Sequence, residues 1–439
     1  MKDRNSLSDA IAHEEAFIAR LDNERLEALK RIKALQAELE SLPQPNFPPK
    51  TSAEKVALFR RLFRGRDDVF QKFWINTKTG RKGYSPACSN DWIRGVCGKV
   101  FKPPVKCGDC QNQAFLPVSD QTALEHLRGR LVAGVYPLLP DDTCWFLAVD
   151  FDKQTWSEDV SSFVETCRLV GLPAAVERSR SGNGAHVWFF FEEPVPASIA
   201  RNMGYYLITE TMSRRHQLSM ESYDRLFPNQ DIMPKGGFGN LIALPLQYGA
   251  RKAGNTVFLD DNLMPYADQW GYLFSIKPIR ARTVQKIAGE AVRRDLITGV
   301  RQSFTDVEEA APWNMPPSRK PARKVIPGPL PKEVRAVMGQ RIFIEKTGLP
   351  PAMINAIKRI AAFQNPEFYK KQKMRLSTNL TPRIISCFED YADHVAIPRG
   401  CLEDLRSLLA EYKISLEVDD KRTNGGHIEI TFNGQLTEL

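Results

Sequence analysis

The segment CWFLAVDFD, residues 144–152, is a run of mostly apolar residues that ends in two acids. Side chains alternate across a strand, so Asp150 and Asp152 would share one face while Phe151 packs behind them. Two carboxylates on one face repel each other unless a cation lies between them, and oxygen-rich sites of this kind suit Mg²⁺ or Mn²⁺. The segment therefore predicts a strand with a divalent-metal site; the alternative is a turn in which two acids merely follow a strand.

A second segment, residues 177–191 (ERSRSGNGAHVWFFF), has the pattern of a strand, a glycine-containing turn and another strand. Gly182 allows backbone amides to approach an anion closely, and Ser181 adds a hydroxyl donor. His186 begins the second strand and can donate a hydrogen bond to a phosphate, while Arg180 adds positive charge. The pattern favours a phosphate-binding turn, with a plain hairpin and a structural histidine as the alternative.

A third acidic residue is expected from residues 224–247 (DRLFPNQDIMPKGGFGNLIALPLQ). This segment combines acids, a glycine-rich turn and an apolar stretch typical of a buried strand. Asp231 is the predicted third metal ligand, and Asp224 is the alternative.

These three motifs, in this order, resemble those of the archaeo-eukaryotic primase superfamily, and residues 52–280 look like the primase domain of TOTE conflict systems. The resemblance is carried by VDFDK (149–153), SRSGNGAHVWFFF (179–191) and PNQDIMPKGGFGNLIALPLQ (228–247). It implies an α/β (α+β) primase core in which two RRM-like halves surround one active site.

The site implied by this resemblance has two parts, a set of carboxylates that hold divalent metals and a group that contacts the incoming nucleotide. The predicted ligands of Mg²⁺ or Mn²⁺ are Asp150, Asp152 and Asp231. The predicted nucleotide-binding residues are Ser181, Gly182, His186, Arg180 and Lys235.

The implied activity is that of a primase-polymerase, a nucleotidyltransferase that joins nucleoside triphosphates on single-stranded or primer-template nucleic acid. A non-catalytic nucleic-acid-binding zinc module and a metal-dependent nuclease are the alternatives. Clustered acids beside a phosphate-binding turn favour an enzyme over a pure binding module, and the turn itself favours a triphosphate substrate over nuclease chemistry. The basic composition, with 61 Lys and Arg against 52 Asp and Glu, also suits a polyanionic partner.

Four of the eight cysteines form the pattern Cys88-x8-Cys97-x9-Cys107-x2-Cys110. Four thiolates match the tetrahedral coordination of Zn²⁺, so a zinc element is expected here; a mixture of buried and free thiols is the alternative. Basic and aromatic residues alternate around the cluster, which suits a single-stranded nucleic acid, although the aromatic residues could equally form the core of this small module. The aromatic residues are Trp74, Tyr84, Trp92 and Phe101.

Residues 7–42 show an a/d heptad pattern of isoleucines and leucines, which predicts one long helix. Pro43 and Pro45 would end it, because proline lacks the amide and clashes with the preceding turn. We expect this helix to form a coiled coil that makes the protein a homodimer; the alternative is a helix folded back on its own domain.

The chain is expected to divide into five parts. These are a coiled-coil helix (1–45), an N-terminal part with the zinc element (52–118), the catalytic core (119–285), a basic proline-rich linker (286–335) and a small α/β module (336–439). The last part resembles the region before the superfamily 2 helicase in TOTE proteins. No G-x-x-x-x-G-K-[S/T] motif occurs, so we expect no ATPase activity and a helicase that is either separate or truncated from this chain.

The N-terminus has no apolar core of the signal-peptide type, and no run of about 18 apolar residues predicts a membrane span. A cytoplasmic protein is therefore expected, and the cysteines argue against a disulfide framework. The predicted helices are 52–72, 120–130, 158–170 and 196–217, and the predicted strands are 144–149, 173–178, 185–191, 240–247 and 255–259.

Overall fold

The computed structural model describes residues 4–41, 47–101, 103–152, 154–293, 326–378 and 380–423, with residues 425, 426, 429, 431, 433 and 434. The chain divides into two compact units, Met1–Pro48 and Pro49–Leu439. Among the helices in these described ranges, none has both the length and the apolar character that crossing a bilayer requires.

The described part of the first unit is one helix, α1 (Arg4–Ser41), which agrees with the helix predicted over residues 7–42. Several large apolar side chains on α1 are exposed, namely Ile11, Phe17, Ile18, Leu21 and Leu35. An isolated helix of this kind is stabilised when its apolar residues are buried against another surface. The coiled coil stays a prediction.

The second unit has a mixed α+β fold. Its labelled helices are α2 (Ser52–Leu62), α3 (Asp120–Leu127), α4 (Trp156–Val170), α5 (Ala197–Met212), α6 (Tyr248–Lys252), α7 (Gln269–Ser275) and α8 (Ala281–Arg293), and three further helices are Pro351–Ile360, Pro366–Lys373 and Leu402–Glu411. The strands are β1 (Gln71–Ile75), β2 (Lys82–Pro86), β3 (Ala133–Val135), β4 (Thr143–Asp152), β5 (Ala175–Arg178), β6 (Gly184–Pro196), β7 (Leu226–Phe227), β8 (Ile242–Ala243), β9 (Phe258–Leu259), β10 (Glu333–Met338), β11 (Ile342–Glu345), β12 (Ala362–Gln364), β13 (Ile384–Ser386), β14 (Glu389–Asp390), β15 (His394–Ile397) and β16 (Ser415–Asp420).

The central sheet is antiparallel, with the strand order β7-β4-β6-β5-β9. Phe151 of β4 contacts Phe163 of α4, with ring centroids 5.1 Å apart. Phe146 faces the opposite side, where its ring lies 5.1 Å from that of Trp188. Because side chains alternate along a strand, Asp150 and Asp152 belong to the face of Phe146 and Trp188, away from α4.

A second sheet has the order β2-β1-β3-β8. The chain reaches it through a turn at Gly65, where a Cβ would lie 2.5 Å from the carbonyl oxygen of Tyr136. The helix predicted over residues 52–72 was therefore too long, since α2 ends at Leu62 and β1 begins at Gln71. The strand predicted over 240–247 is reduced to β8, because Pro245 has no amide with which to continue the ladder.

Residues 326–423 contain a third sheet, with the order β14-β15-β11-β10-β16, in which only β10 and β16 pair in parallel. This module has its own apolar core, but Ala362 and Ile384 belong to the main core of the central sheet. Lys358, whose side chain is buried, donates to the carbonyl oxygen of His216 at 2.7 Å. Of the expected linker, 286–293 belong to α8 and 294–325 lie outside the described residues.

His126 of α3 connects this helix to β3 and to the segment that follows β8. Its Nδ1 accepts from the Ala133 amide at 3.0 Å, so Nε2 carries the proton and donates to the Pro245 carbonyl at 2.9 Å. Because the ring is fully buried, its pKa is lowered to about 4. His126 is therefore neutral in the folded protein at neutral pH.

We expect the unit to lose about 3 kcal/mol of stability as the pH falls from 6.5 towards 4, because the unfolded chain then takes up a proton that folded His126 does not. Above pH 6.5 this contribution is fully present, since neither state is protonated at this residue. Urea unfolding at a series of pH values measures it. His126→Gln removes this titration, and identical pH profiles for the two proteins would contradict the assignment.

Candidate active site

Asp150 and Asp152 lie together at the end of β4, as the alternation of side chains predicted. Their side chains are 24% and 46% exposed, so both carboxylates are accessible. The Nη1 atom of Arg225 lies 2.5 Å from Oδ2 of Asp152 and 3.5 Å from Oδ2 of Asp150. One cationic group thus contacts both carboxylates. Two adjacent carboxylates repel each other, and a cation between them offsets this repulsion.

A row of polar residues crosses the central sheet beside this pair. Glu177 on β5 is opposite His186 on β6, and His186 is opposite Asp150 on β4. His186 Nδ1 lies 2.6 Å from the Glu177 carboxylate, and its Nε2 lies 3.7 Å from Oδ1 of Asp150. The Asp150 amide donates to the Arg225 carbonyl at 2.9 Å, so the row ends at Arg225.

Glu177 is the buried end of this row, with 1% of its surface exposed. Its carboxylate also accepts a hydrogen bond from the Trp188 indole at 3.3 Å. These contacts hold the imidazole of His186 in one orientation, with Nδ1 towards Glu177 and Nε2 towards the carboxylate pair.

The row is electrostatically coupled. Burial raises the pKa of Asp150, and the neighbouring His186 and Arg225 offset part of this rise. Burial alone would lower the pKa of His186, but the Glu177 and Asp150 carboxylates outweigh it and raise that pKa above its usual value. A cation close to Asp150 therefore favours the ionised form of its carboxylate.

The turn between β5 and β6 has the form that the sequence predicted. Gly182 has a φ of +81°, a conformation that favours glycine, and its amide donates to the Ser179 carbonyl at 3.0 Å. The Ser181 hydroxyl lies 3.1 Å from that of Ser179 and accepts from the Asn183 amide at 3.3 Å. The turn thus carries two hydroxyls just before the first residue of β6.

Arg180 contacts two aromatic residues of the β1–β2 hairpin. Its guanidinium lies 4.0 Å from the centre of the Phe73 ring and 3.5 Å from the Tyr84 hydroxyl. Lys235 is exposed, and its amide donates to the Arg375 carbonyl at 3.0 Å. Among the contacts of the described residues, none joins Lys235 or Arg180 to Asp150.

Asp231 lies in a different cluster. Its carboxylate contacts Arg201 at 2.6 Å, Arg383 at 3.5 Å and Gln372 at 2.8 Å. Burial alone would raise the pKa of Asp231, but the two arginines and the hydrogen bond from Gln372 lower it. Asp224 joins the same cluster, since its carboxylate accepts from the Arg383 amide at 2.8 Å.

Neither candidate for the third metal ligand contacts Asp150 or Asp152 among the interactions of the described residues. Both are engaged by Arg383, which belongs to the segment that follows Pro366–Lys373. The choice between Asp231 and Asp224 as the third ligand therefore stays a prediction.

The four clustered cysteines line one cavity of about 20 Å³. Across the described ranges, however, no three His, Cys, Asp or Glu residues are grouped closely enough to hold a metal ion. Burial raises the pKa of Cys107, against the effect of the nearby Lys99 ammonium group, which contacts Asp91 at 2.7 Å. All four cysteines thus line a common cavity, and the zinc itself stays a prediction.

Sequence reasoning missed Glu177, Arg225, Arg201 and Arg383 as members of these clusters. The register of the hairpin could have revealed Glu177, because a turn at Ser181–Gly184 places it opposite His186. Arg225 directly follows Asp224, but its contact with Asp150 depends on the pairing of β7 with β4. The contacts of Arg201 and Arg383 depend on packing between distant segments.

Comparison with known proteins gives one family match and several structural ones. The family model described as "TOTE conflict system, Archaeo-Eukaryotic Primase domain" matches residues 54–287, which is more than half of the chain. Seven chains of solved structures match. One of them is the "Polymerase Domain from Mycobacterium tuberculosis Ligase D in complex with DNA", at 14% identity and a TM-score of 0.28, covering 60% of this chain and 91% of that chain. No curated protein matches this chain.

Proposed function

Because this chain belongs to the archaeo-eukaryotic primase domain family of TOTE conflict systems, we propose that it is a primase-polymerase that joins nucleotides on a nucleic-acid template. Nucleotidyl transfer is the broad activity of this family. The observation that carries the proposal is the pair Asp150 and Asp152, which share one strand face and a single cationic partner. In the proposed reaction, a 3′-hydroxyl attacks the α-phosphorus of a nucleoside triphosphate, a phosphodiester bond forms and pyrophosphate leaves.

The carboxylates of Asp150 and Asp152 are proposed to hold Mg²⁺ or Mn²⁺, because hard oxygen ligands and a need for positive charge fit such ions. A bound divalent ion would lower the pKa of the attacking hydroxyl and offset the charge of the leaving pyrophosphate. Asp231, or Asp224 in its place, remains the predicted third ligand. Either would first have to give up its contact with Arg383.

The Ser181–Gly184 turn and His186 are proposed to bind the triphosphate. Support comes from the exposed residue Ser181, the positive φ of Gly182 and the location of His186 opposite Asp150. His186 would donate through Nε2, because its Nδ1 is engaged by Glu177. Arg180 and Lys235 are included in the proposed nucleotide site as additional positive charges.

Glu177→Gln is expected to raise the KM for nucleotide by about tenfold, because an amide favours the charged, phosphate-donating form of the His186 imidazole less than a carboxylate does. The rate at saturating nucleotide should change less. Steady-state incorporation at varied nucleotide concentration measures this effect, with melting temperature recorded on the same protein.

Glu192→Gln is the matched control, since it makes the same change at an exposed acid that is ion-paired with Arg280. It should leave the KM close to that of the wild type. A Glu177→Gln protein with lowered stability but an unchanged KM would show that Glu177 has only a structural role.

The β1–β2 hairpin is proposed to contact the nucleic-acid strand. Lys72 and Trp74 share one face of β1, and Trp74 lies over Gly83, where a Cβ would be only 3.1 Å from its ring. An exposed aromatic ring beside a basic residue suits base stacking and phosphate contact. Anisotropy of a labelled single strand should show weaker binding by Trp74→Ala, and unchanged binding would refute this role.

We also propose that Cys88, Cys97, Cys107 and Cys110 bind one Zn²⁺. The support is that all four line one cavity and that four thiolates match this ion. Elemental analysis should find about one zinc per chain in the wild type and in Cys387→Ser, and a loss of zinc in Cys107→Ser. A folded, zinc-free wild-type protein would refute the site.

Two further features remain proposals. The two sheets β2-β1-β3-β8 and β7-β4-β6-β5-β9 would correspond to the two RRM-like halves, and α1 would form a coiled coil between two copies. Light scattering on the full chain and on a variant lacking residues 1–48 tests the second, since a full chain with the mass of one copy would exclude it. A separate helicase is the predicted partner.

Extension of a labelled primer on a defined template tests the main proposal. We expect incorporation of the complementary nucleotide that requires Mg²⁺ or Mn²⁺. Repeating the assay with ribonucleotides, with deoxynucleotides and without primer identifies the substrate class and any priming activity. Degradation of the strand without incorporation would instead indicate a nuclease, and binding without either reaction would indicate a non-catalytic module.

A further inference from the structure

Arg225 has a backbone that is fixed beside the carboxylate pair. Its carbonyl accepts from the Asp150 amide at 2.9 Å, and its own amide donates to the Ser222 carbonyl at 3.3 Å. The next residue, Leu226, pairs with Val149 of β4. The Cα of Arg225 therefore cannot move away from Asp150 without breaking β7 from the edge of the central sheet.

The side chain of Arg225, in contrast, takes no part in this backbone pairing. It is 28% exposed, and its Nη1 contacts the Oδ2 atoms of Asp150 and Asp152. These oxygens belong to the same carboxylates that are proposed to hold a divalent ion. A metal ion and the guanidinium would therefore compete for them, and would also repel each other.

We propose that Arg225 acts as an internal counterion of Asp150 and Asp152, that a divalent metal ion displaces it, and that the displaced guanidinium then binds a phosphate of the nucleotide. This inference rests on the proposed function. The planar guanidinium suits phosphate oxygens, and the fixed backbone keeps it within one side-chain length of the site. Arg225 would thus keep the empty carboxylate pair aligned and later contact the substrate.

The competition can be measured without any reaction. Titration of Mn²⁺, with free Mn²⁺ followed by electron paramagnetic resonance, gives the affinity of the site in the absence of nucleotide. We expect Arg225→Gln to bind Mn²⁺ about fivefold to tenfold more tightly than the wild type, because a partly exposed ion pair no longer has to be broken. Arg168→Gln is the matched control, since Arg168 forms an exposed ion pair with Asp261, and its affinity should be unchanged.

A second measurement tests the contact with phosphate. At saturating Mn²⁺, Arg225→Gln should raise the KM for nucleotide by about tenfold through the loss of a charge-assisted contact. Arg225→Lys keeps the positive charge but not the fork, so it should retain near wild-type Mn²⁺ affinity and still raise the KM. Arg225→Lys also keeps the test valid if Arg225→Gln fails to fold.

An Mn²⁺ affinity of Arg225→Gln that equals or falls below that of Arg168→Gln overturns the counterion role. An unchanged KM overturns the phosphate contact. Asp150→Asn separates these outcomes from failure of the proposed function: if that variant binds Mn²⁺ as the wild type does, the metal site itself is refuted, and the role of Arg225 with it. If Asp150→Asn loses Mn²⁺ affinity, the metal site is supported, and the results for the Arg225 variants then test only the role of Arg225.

Discussion

Replacement of Asp150 by asparagine is expected to reduce nucleotide incorporation by roughly a thousandfold or more, because metal-dependent stabilisation of several kcal/mol depends on this carboxylate. The Asp150→Asn protein should be at least as stable as the wild type. Burial raises the pKa of Asp150, so the folded chain disfavours the charged group, and a neutral amide of the same shape removes that cost. Loss of activity with an unchanged or raised Tm is the expected pattern for a residue selected for function.

Single-turnover primer extension measures the rate, and thermal unfolding of the same preparation measures the Tm. Asp261→Asn is the control, since Asp261 is an exposed acid in an ion pair with Arg168. Template affinity should be similar in the wild type, Asp150→Asn and Asp261→Asn. If Asp150→Asn retained incorporation within a few-fold of Asp261→Asn, the assignment of the carboxylate pair would be wrong.

Replacement of Asp231 by alanine is expected to cost about 3–5 kcal/mol of stability, because it leaves buried cations without their partner. Arg201 and Arg383 have side chains only 1% and 5% exposed, so water cannot replace the lost carboxylate. The effect should extend to the attachment of the C-terminal module, since Arg383 and Gln372 both come from it.

Urea unfolding of the Asp231→Ala protein measures this loss, and Asp261→Ala provides the exposed comparison, with an expected cost of at most about 1 kcal/mol. Mn²⁺ titration of folded Asp231→Asn at low temperature then tests its predicted role as third ligand. Stability equal to the wild type would show that the cluster does not anchor the module. A loss of Mn²⁺ affinity would support Asp231 as a ligand.

Local patterns were enough to predict the parts of the site that depend on short stretches of chain. Asp150 and Asp152 share a face because side chains alternate along any strand, wherever that strand lies. The Ser181–Gly184 turn followed from its glycines, and Gly182 does adopt a positive φ; α1 followed from the spacing of its apolar residues. Each of these features depends on backbone geometry within a few residues.

Only the tertiary structure decided which distant groups meet. Arg225 reaches Asp150 because β7 pairs with β4, and Arg383 reaches Asp231 across 152 positions of sequence. Charge alone could not identify these partners among 61 Lys and Arg residues. A buried ion pair forms where packing excludes water, and that packing involves the whole unit rather than a segment of it.

Packing between distant segments also explains why some helices and strands end earlier than predicted. Residues 52–72 were predicted as one helix, but α2 ends at Leu62, and Gly65 passes close to Tyr136 of another segment. The apolar run at 240–247 predicts a strand, but only Ile242–Ala243 finds a partner strand. Apolar pattern and turn chemistry thus determined the carboxylate strand and its hairpin, whereas close approach between distant segments decided where elements end and which charges are paired.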